Sequence, residues 1–158
     1  MSAAPIESRE LVISRLIDAP RETIFKAWTT PELLTEWWVP KPWTTSKVDI
    51  EPRSGGRFNF TMADPEGKEY PNEGMLLEVV PNEKIVFSDA FTAGWVPKPD
   101  PFLVAIITLE DEGGKTRYTA RVLHWSVEAR EKHEAMGFFE GWGQALDQLS
   151  ELVTKGKK

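Results

Sequence analysis

The chain has 158 residues and no cysteine. Disulfides, thiolate chemistry and cysteine-ligated metals are thereby excluded. Histidine is nearly as scarce, with only His124 and His133. Two imidazoles without thiolates fall short of a zinc site unless carboxylates complete it, so no metal and no cofactor is expected. Positive charge is in deficit: the net charge is −6, and the one basic cluster is Lys155, Lys157 and Lys158 at the tail. That balance argues against nucleic acid or an anionic membrane as the main partner. No apolar run is long enough to cross a bilayer, and the N-terminus lacks a basic-then-apolar signal pattern. A cytoplasmic protein without membrane insertion is therefore expected. Ser-His-Asp spacing, a phosphate loop and a dinucleotide fingerprint are all missing. With no repeat, low-complexity tract or linker, the chain reads as one domain over 9–155 between tails at 1–8 and 156–158. A domain of this length buries roughly 70% of its unfolded surface.

Aromatic residues are abundant: seven tryptophans and eight phenylalanines. Large rings fill cores, and they also line pockets for flat or greasy ligands. Toward the C-terminus, the large apolar residues Met136, Phe138, Phe139, Trp142, Leu146, Leu149, Leu152 and Val153 recur in steps of three and four. This period predicts an amphipathic helix within Ser126 to Lys155, roughly 40 Å long. Glu134, Gln144, Asp147, Gln148 and Glu151 fall on its polar side. Three glycines, Gly137, Gly141 and Gly143, sit inside the pattern. Each costs about 1 kcal/mol in a helix relative to alanine. They point either to close helix–sheet packing or to a hollow beside the helix, roofed by Phe138 and Trp142.

Ahead of that helix, Leu11 to Ile17 reads as a strand. Ala19-Pro20 then opens one short helix through Ile24, Phe25 and Trp28. Thr30-Pro31-Glu32 opens a second through Leu33, Leu34 and Trp37, with Thr30 as N-cap and Pro31 at the first helical position. Strand patterns follow at Thr44 to Glu51, Arg57 to Met62, Gly74 to Val80, Ile85 to Phe91, Leu103 to Leu109 and Thr116 to Trp125. The Leu103 stretch is continuously apolar, as in a strand covered on both faces. Short turns such as Ser54-Gly55-Gly56 and Glu112-Gly113-Gly114-Lys115 join neighbours in an antiparallel sheet. The expected architecture is α+β: a curved seven-stranded antiparallel sheet, with two helices after the first strand, wrapped around the C-terminal helix. Thr92 to Pro101 is too long for a tight hairpin; it is either a lid or contact surface carrying Trp95, or a proline-stiffened connection whose Trp95 folds down.

Alternation along the strands supplies candidate site residues. Trp38, Phe58, Phe60, Met62, Met75, Phe87, Phe91, Phe138 and Trp142 form a candidate apolar wall, and adaptable methionine beside rigid rings suits a pocket. Trp95 of the long loop, Tyr118 and Ala120 extend the candidate ligand-binding set. His124 shares the face of Tyr118, Ala120 and Val122, and Asp89 that of Ile85, Phe87 and Phe91. A buried Asp89 needs partners, with His124, Tyr118 or Arg121 as the options. An Asp89–His124 pair in an apolar hollow would supply general acid–base catalysis, or would orient the polar end of a ligand.

Several of these pieces together resemble a known family. They are Ala19-Pro20 with Ile24-Phe25-Lys26-Ala27-Trp28-Thr29, Thr30-Pro31-Glu32, Trp37-Trp38, Gly55-Gly56-Arg57-Phe58 and Gly74. Pro81-Asn82-Glu83-Lys84-Ile85-Val86 and Gly141-Trp142 with Leu146 and Leu149 complete the series. In this order they resemble the activator of heat-shock-protein-90 ATPase homologue-like branch of the START/Bet v 1 superfamily. The resemblance implies a helix-grip fold with a cavity between sheet and C-terminal helix. It implies binding of a small hydrophobic molecule, lipid-like or aromatic, without required catalysis. A cyclase, dehydratase or hydrolase using His124 and Asp89 is the alternative, and a co-chaperone-like module or homodimer acting through Trp95 is the third reading. The family's eukaryotic co-chaperone has a separate N-terminal domain for which this chain has no room, so chaperone engagement is not expected.

Overall fold

The structure, a computed structural model, describes residues 5–154. The predicted basic tail at Lys155, Lys157 and Lys158 lies outside the described residues. The part of the predicted N-terminal tail that is described contains one 3-10 turn, Ile6–Arg9, leading directly into strand β1, Glu10–Ile17.

After β1 the chain forms α1 (Arg21–Thr29) and α2 (Pro31–Leu34). Pro20 stands one residue before α1, and its carbonyl accepts from Thr23 and Ile24. At α2, Pro31 takes the first helical position as expected, but the Thr30 side chain makes no cap bond; its carbonyl serves Leu33 and Leu34 instead. Trp37 lies beyond α2, in the turns that follow it. Then come β2 (Thr44–Ile50), β3 (Arg57–Ala63), β4 (Glu69–Val80), β5 (Lys84–Ser88), a small hairpin of β6 (Phe91–Thr92) and β7 (Val96–Pro97), β8 (Leu103–Glu112) and β9 (Lys115–His124). Seven strands form one antiparallel sheet in the order β1-β9-β8-β5-β4-β3-β2. Sequential hairpins build each half, and β1 closes against β9. The sheet's inner face grips the C-terminal helix, which is the helix-grip fold.

That helix is not continuous. It divides into α3 (Val127–Ala135) and α4 (Phe138–Thr154). Gly137 adopts φ +96°, a left-handed conformation that ends one helix, and its carbonyl then accepts from Gly141 to start the next. Seventeen residues make α4 about 26 Å long instead of the roughly 40 Å expected. The three glycines turn out to serve different ends. Gly137 makes the break, Gly141 faces a hollow, and Gly143 lies beside β1, where a Cβ would meet Arg15 and Ile13 side-chain atoms at an ordinary contact distance of 3.8 and 3.9 Å.

Two further expectations are corrected. Leu103 to Leu109 is not covered on both faces: Ala105, Ile107 and Leu109 are buried, whereas Val104, Ile106 and Thr108 are half-exposed. Gln148 is not on a solvated helix face but buried. Its Nε2 donates to the Trp37 and Val39 carbonyls at 3.1 and 2.8 Å, and its Oε1 accepts from the Lys41 amide at 2.9 Å. One amide thus fastens the segment between α2 and β2 to α4, and the Trp37-Trp38 pair is held where it meets the sheet. Arg15 of edge strand β1 pairs with Asp147 on the other flank of α4.

The core lies between the sheet and helices α1, α2 and α4. Trp28 and Trp37 are fully buried, with indole N–H groups satisfied by Tyr118 Oη and the Ala27 carbonyl, both at 3.1 Å. Burying these rings supplies a large apolar term, and their edge-to-face arrangement with Trp38 adds to it.

Candidate functional site

The core does not fill the whole space. Beneath the N-terminal half of α4, over β3, β4 and β5, lies a hollow of about 510 Å³. Phe58, Phe60 and Met62 alternate inward from β3, Phe87 rises from β5, and Trp38 comes from the segment after α2. Phe138, Gly141, Trp142 and Ala145 roof it from α4. Trp38 is the hub, within 5.7 Å of the Phe58 and Phe60 rings and 6.3 Å of Trp142. Gly74 occupies the inward slot of β4 opposite Phe58, where a Cβ would come within 2.8 Å of the Ser88 carbonyl. Only a glycine fits there, because the backbone of β5 lies too close for a side chain.

One end of the cavity is polar. Ser88, Asp89, His133 and the Phe102-Leu103 backbone meet there, with Asn72 and Glu73 at the rim. No lysine or arginine lines the cavity among the described residues. Asp89 lies just beyond β5, because that strand stops at Ser88 and not at Phe91. Its carboxylate accepts from the Phe102 and Leu103 amides at 2.9–3.1 Å. Ser88 Oγ donates to the Leu103 carbonyl at 2.7 Å. These bonds tie the start of β8 to the end of β5.

The expected Asp89–His124 pair does not form, and neither Tyr118 nor Arg121 partners Asp89. His124 is 2% exposed and both its nitrogens are engaged. Nδ1 lies 2.8 Å from the Arg9 carbonyl, and Nε2 lies 2.9 Å from Nδ1 of His133 on α3. A carbonyl only accepts, so His124 Nδ1 carries the proton and its Nε2 is bare when the ring is neutral. His133 Nδ1–H therefore donates to it, which leaves His133 Nε2 without a proton. Both rings are held below their ordinary pKa. For His124 desolvation dominates, aided by the Arg130 charge and opposed by the Arg9 carbonyl. For His133 desolvation and the neighbouring His124 push it down to about 4. At neutral pH the pair is uncharged.

Of the sequence candidates, Trp38, Phe60, Met62, Phe87, Phe138 and Trp142 meet on the cavity wall. Six others lie elsewhere. Met75 pairs with Arg57, one register step from Gly74, and so points to the opposite face of the sheet. Its sulfur accepts from the Trp95 amide at 3.2 Å. Phe91 and Trp95 belong to the β6–β7 hairpin and contact each other edge to face at 5.7 Å. That hairpin is anchored to the turn after β2, where the Gly55 carbonyl accepts from Gly94. Trp95 is thus a half-exposed ring on the back of the sheet, not a lid over the hollow. Tyr118 and Ala120 face inward but are sealed in the core. Burial pushes the Tyr118 phenol up to about 12 despite its bonding to Trp28 and Trp142. His124 lies one ring behind the wall.

Sequence reasoning flagged Gly141 as a sign of a hollow but missed His133 and Ala145 as wall residues, and Gln148 as the support of the segment that carries Trp38. The available signal was Gly137. A glycine at the end of a charged helical turn marks a break, and the break brings α3 back against β9.

Among the described residues no helix is long and apolar enough to cross a membrane. No curated protein matches the chain. Among solved structures, a protein of Nitrosomonas europaea shares 37% identity over 95% of this chain and 97% of its own, with a TM-score of 0.91. The Mycobacterium smegmatis protein Ms6760 shares 27% identity over 96% of this chain and 94% of its own, with a TM-score of 0.80. A protein from Arthrobacter aurescens, at 22% identity, 98% and 93% coverage and a TM-score of 0.82, shares the fold. The family model described as Activator of Hsp90 ATPase homolog 1-like protein matches residues 18–154. With the seven-stranded helix-grip architecture, that match assigns the chain to the Activator of Hsp90 ATPase homolog 1-like family of the START/Bet v 1 superfamily.

Proposed function

We propose that this protein binds a small, largely apolar molecule, aromatic or lipid-like, in the hollow beneath α4, as a cytoplasmic carrier or sensor without required catalysis. The carrying observation is the cavity itself: about 510 Å³, walled by aromatic rings, with its few polar groups gathered at one end. Pockets for small organic molecules have this size and composition. Burial of the ligand's apolar surface supplies the affinity, at about 25 cal/mol per Å² before the costs of association. Trp38 and Trp142 offer flat faces for a ring, and Met62 offers an adaptable one.

Native mass spectrometry of protein purified from its own host, followed by solvent extraction, tests the reading. A discrete added mass released on denaturation is the expected result. A bare protein mass, together with failure of apolar probes such as 1-naphthol to change tryptophan fluorescence, would overturn it.

A further inference from the structure

The polar end of the cavity carries a choice of ligand chemistry, and this inference rests on the apolar-pocket reading above. The Arg9 carbonyl fixes the proton on His124 Nδ1, and the 2.9 Å bond to His133 then fixes the proton on His133 Nδ1. The remaining nitrogen, His133 Nε2, has no hydrogen-bond partner among the described residues and is not a sealed, unsatisfied atom. Its ring is part of the cavity wall, wedged between Phe102 at 4.9 Å and Phe138 at 5.1 Å. The second ionisable group at that end, Asp89, is likewise an acceptor, and no cation faces the hollow among the described residues.

We propose that His133 Nε2 accepts a hydrogen bond from a hydroxyl on the ligand, so that the cavity selects a neutral aromatic alcohol or phenol over its ether and over aromatic carboxylates. A carboxylate would enter an apolar space with no counter-charge and with the Asp89 carboxylate nearby, which is costly. An ether brings no donor, so it leaves the nitrogen unpaired once water is displaced. The aromatic body follows from the ring-lined wall at Trp38, Phe60, Phe87 and Trp142.

The test titrates the intact protein with 1-naphthol, 1-methoxynaphthalene and 1-naphthoate, read by tryptophan fluorescence and calorimetry. If burial alone decided, the extra methyl would make the ether bind about fourfold tighter. The expected result is the reverse: 1-naphthol tighter than the ether by roughly three- to tenfold, and 1-naphthoate at least about tenfold weaker than 1-naphthol. In His133→Phe the naphthol preference should vanish while ether binding persists. An ether that binds as well as naphthol to the unaltered protein overturns the proposal, as does a preference that survives His133→Phe. Naphthoate binding as tightly as naphthol also overturns it. Should no probe bind at all, the pocket reading itself falls and takes this one with it. Long-range ¹H–¹⁵N spectra of the unaltered protein give a check that needs no variant. His133 Nε2 should be unprotonated at pH 7 and shift with naphthol but not with the ether; a protonated Nε2 in the free protein would sink the idea.

Discussion

Gly141 is the position where cavity and stability make opposite demands on one residue. It lies in the first turns of α4 and lines the hollow, and a Cβ built there would meet only Pro40 Cγ at 3.9 Å, an ordinary contact. Its backbone is helical, so alanine fits without strain. Replacing glycine within a helix gains about 0.8–1 kcal/mol, part of it from a less flexible unfolded chain. Gly141→Ala should therefore raise stability by roughly 0.5–1 kcal/mol and the melting temperature by about 1–4 °C. Gly141→Leu should keep that gain while placing an isobutyl group in the ligand space, so that probe affinity falls at least about tenfold. Urea unfolding followed by tryptophan emission, alongside titration with 1-naphthol, reads both effects on the same samples. Gly74→Ala is the opposite control. Its Cβ would stand 2.8 Å from the Ser88 carbonyl, so the β4–β5 pair must shift, at a cost of about 1–3 kcal/mol. The reasoning fails if Gly141→Ala destabilises the protein, or if Gly141→Leu binds the probe as well as the parent does.

Gln148→Leu should cost about 1–3 kcal/mol in urea unfolding, because the Trp37 and Val39 carbonyls and the Lys41 amide lose their partner; an unchanged midpoint would remove Gln148 as the fastener. Acid should destabilise the fold through the histidine pair. The folded rings lie below the ordinary 6.5, so the unfolded chain takes up protons that the folded chain excludes. Their contribution is full above 6.5 and is lost as pH falls toward about 4. For His133 the gap to about 4 sets a ceiling of about 3 kcal/mol, which partial solvent access reduces to about 1–2. Arg130 on α3, ion-paired to Glu134, disfavours the charged His124, and Asp89 is the acidic group at the same cavity end. Stability measured from pH 7 to 4 should slope less in His133→Phe; an identical slope would refute the link. Trp95→Ala should leave probe affinity within about twofold, since the ring lies behind the sheet beside Gly55 and Met75; a large loss of affinity would return that loop to the site.

The strands, their order along the chain and the helical period of residues 138–154 are local patterns, so a single sequence displays them. Phe58, Phe60 and Met62 were legible as one face because a strand alternates strictly, and the structure places all three on the wall. The same rule misplaced Met75 and Phe91, because it holds only while the strand continues undisturbed. Gly74 already fills the inward slot of β4, and β5 ends at Ser88, before Phe91 is reached. The glycines in the C-terminal segment were visible as an anomaly, but their surroundings differ in ways only the fold decides: a left-handed backbone at Gly137, the open hollow beside Pro40 at Gly141, and Arg15 and Ile13 of β1 beside Gly143.

The polar end of the site was beyond sequence reasoning altogether. His124 and His133 are nine residues apart, and neither strand nor helix periodicity brings such residues together. Only the break at Gly137 and the return of α3 against β9 put their nitrogens 2.9 Å apart. Composition thus determined that this is an acidic, cysteine-free domain rich in aromatic rings, and periodicity determined a sheet gripping a helix. Which rings enclose empty space, and which histidine nitrogen is left unpartnered, depended on contacts between residues far apart in the chain, and those exist only once the sheet has closed around α4.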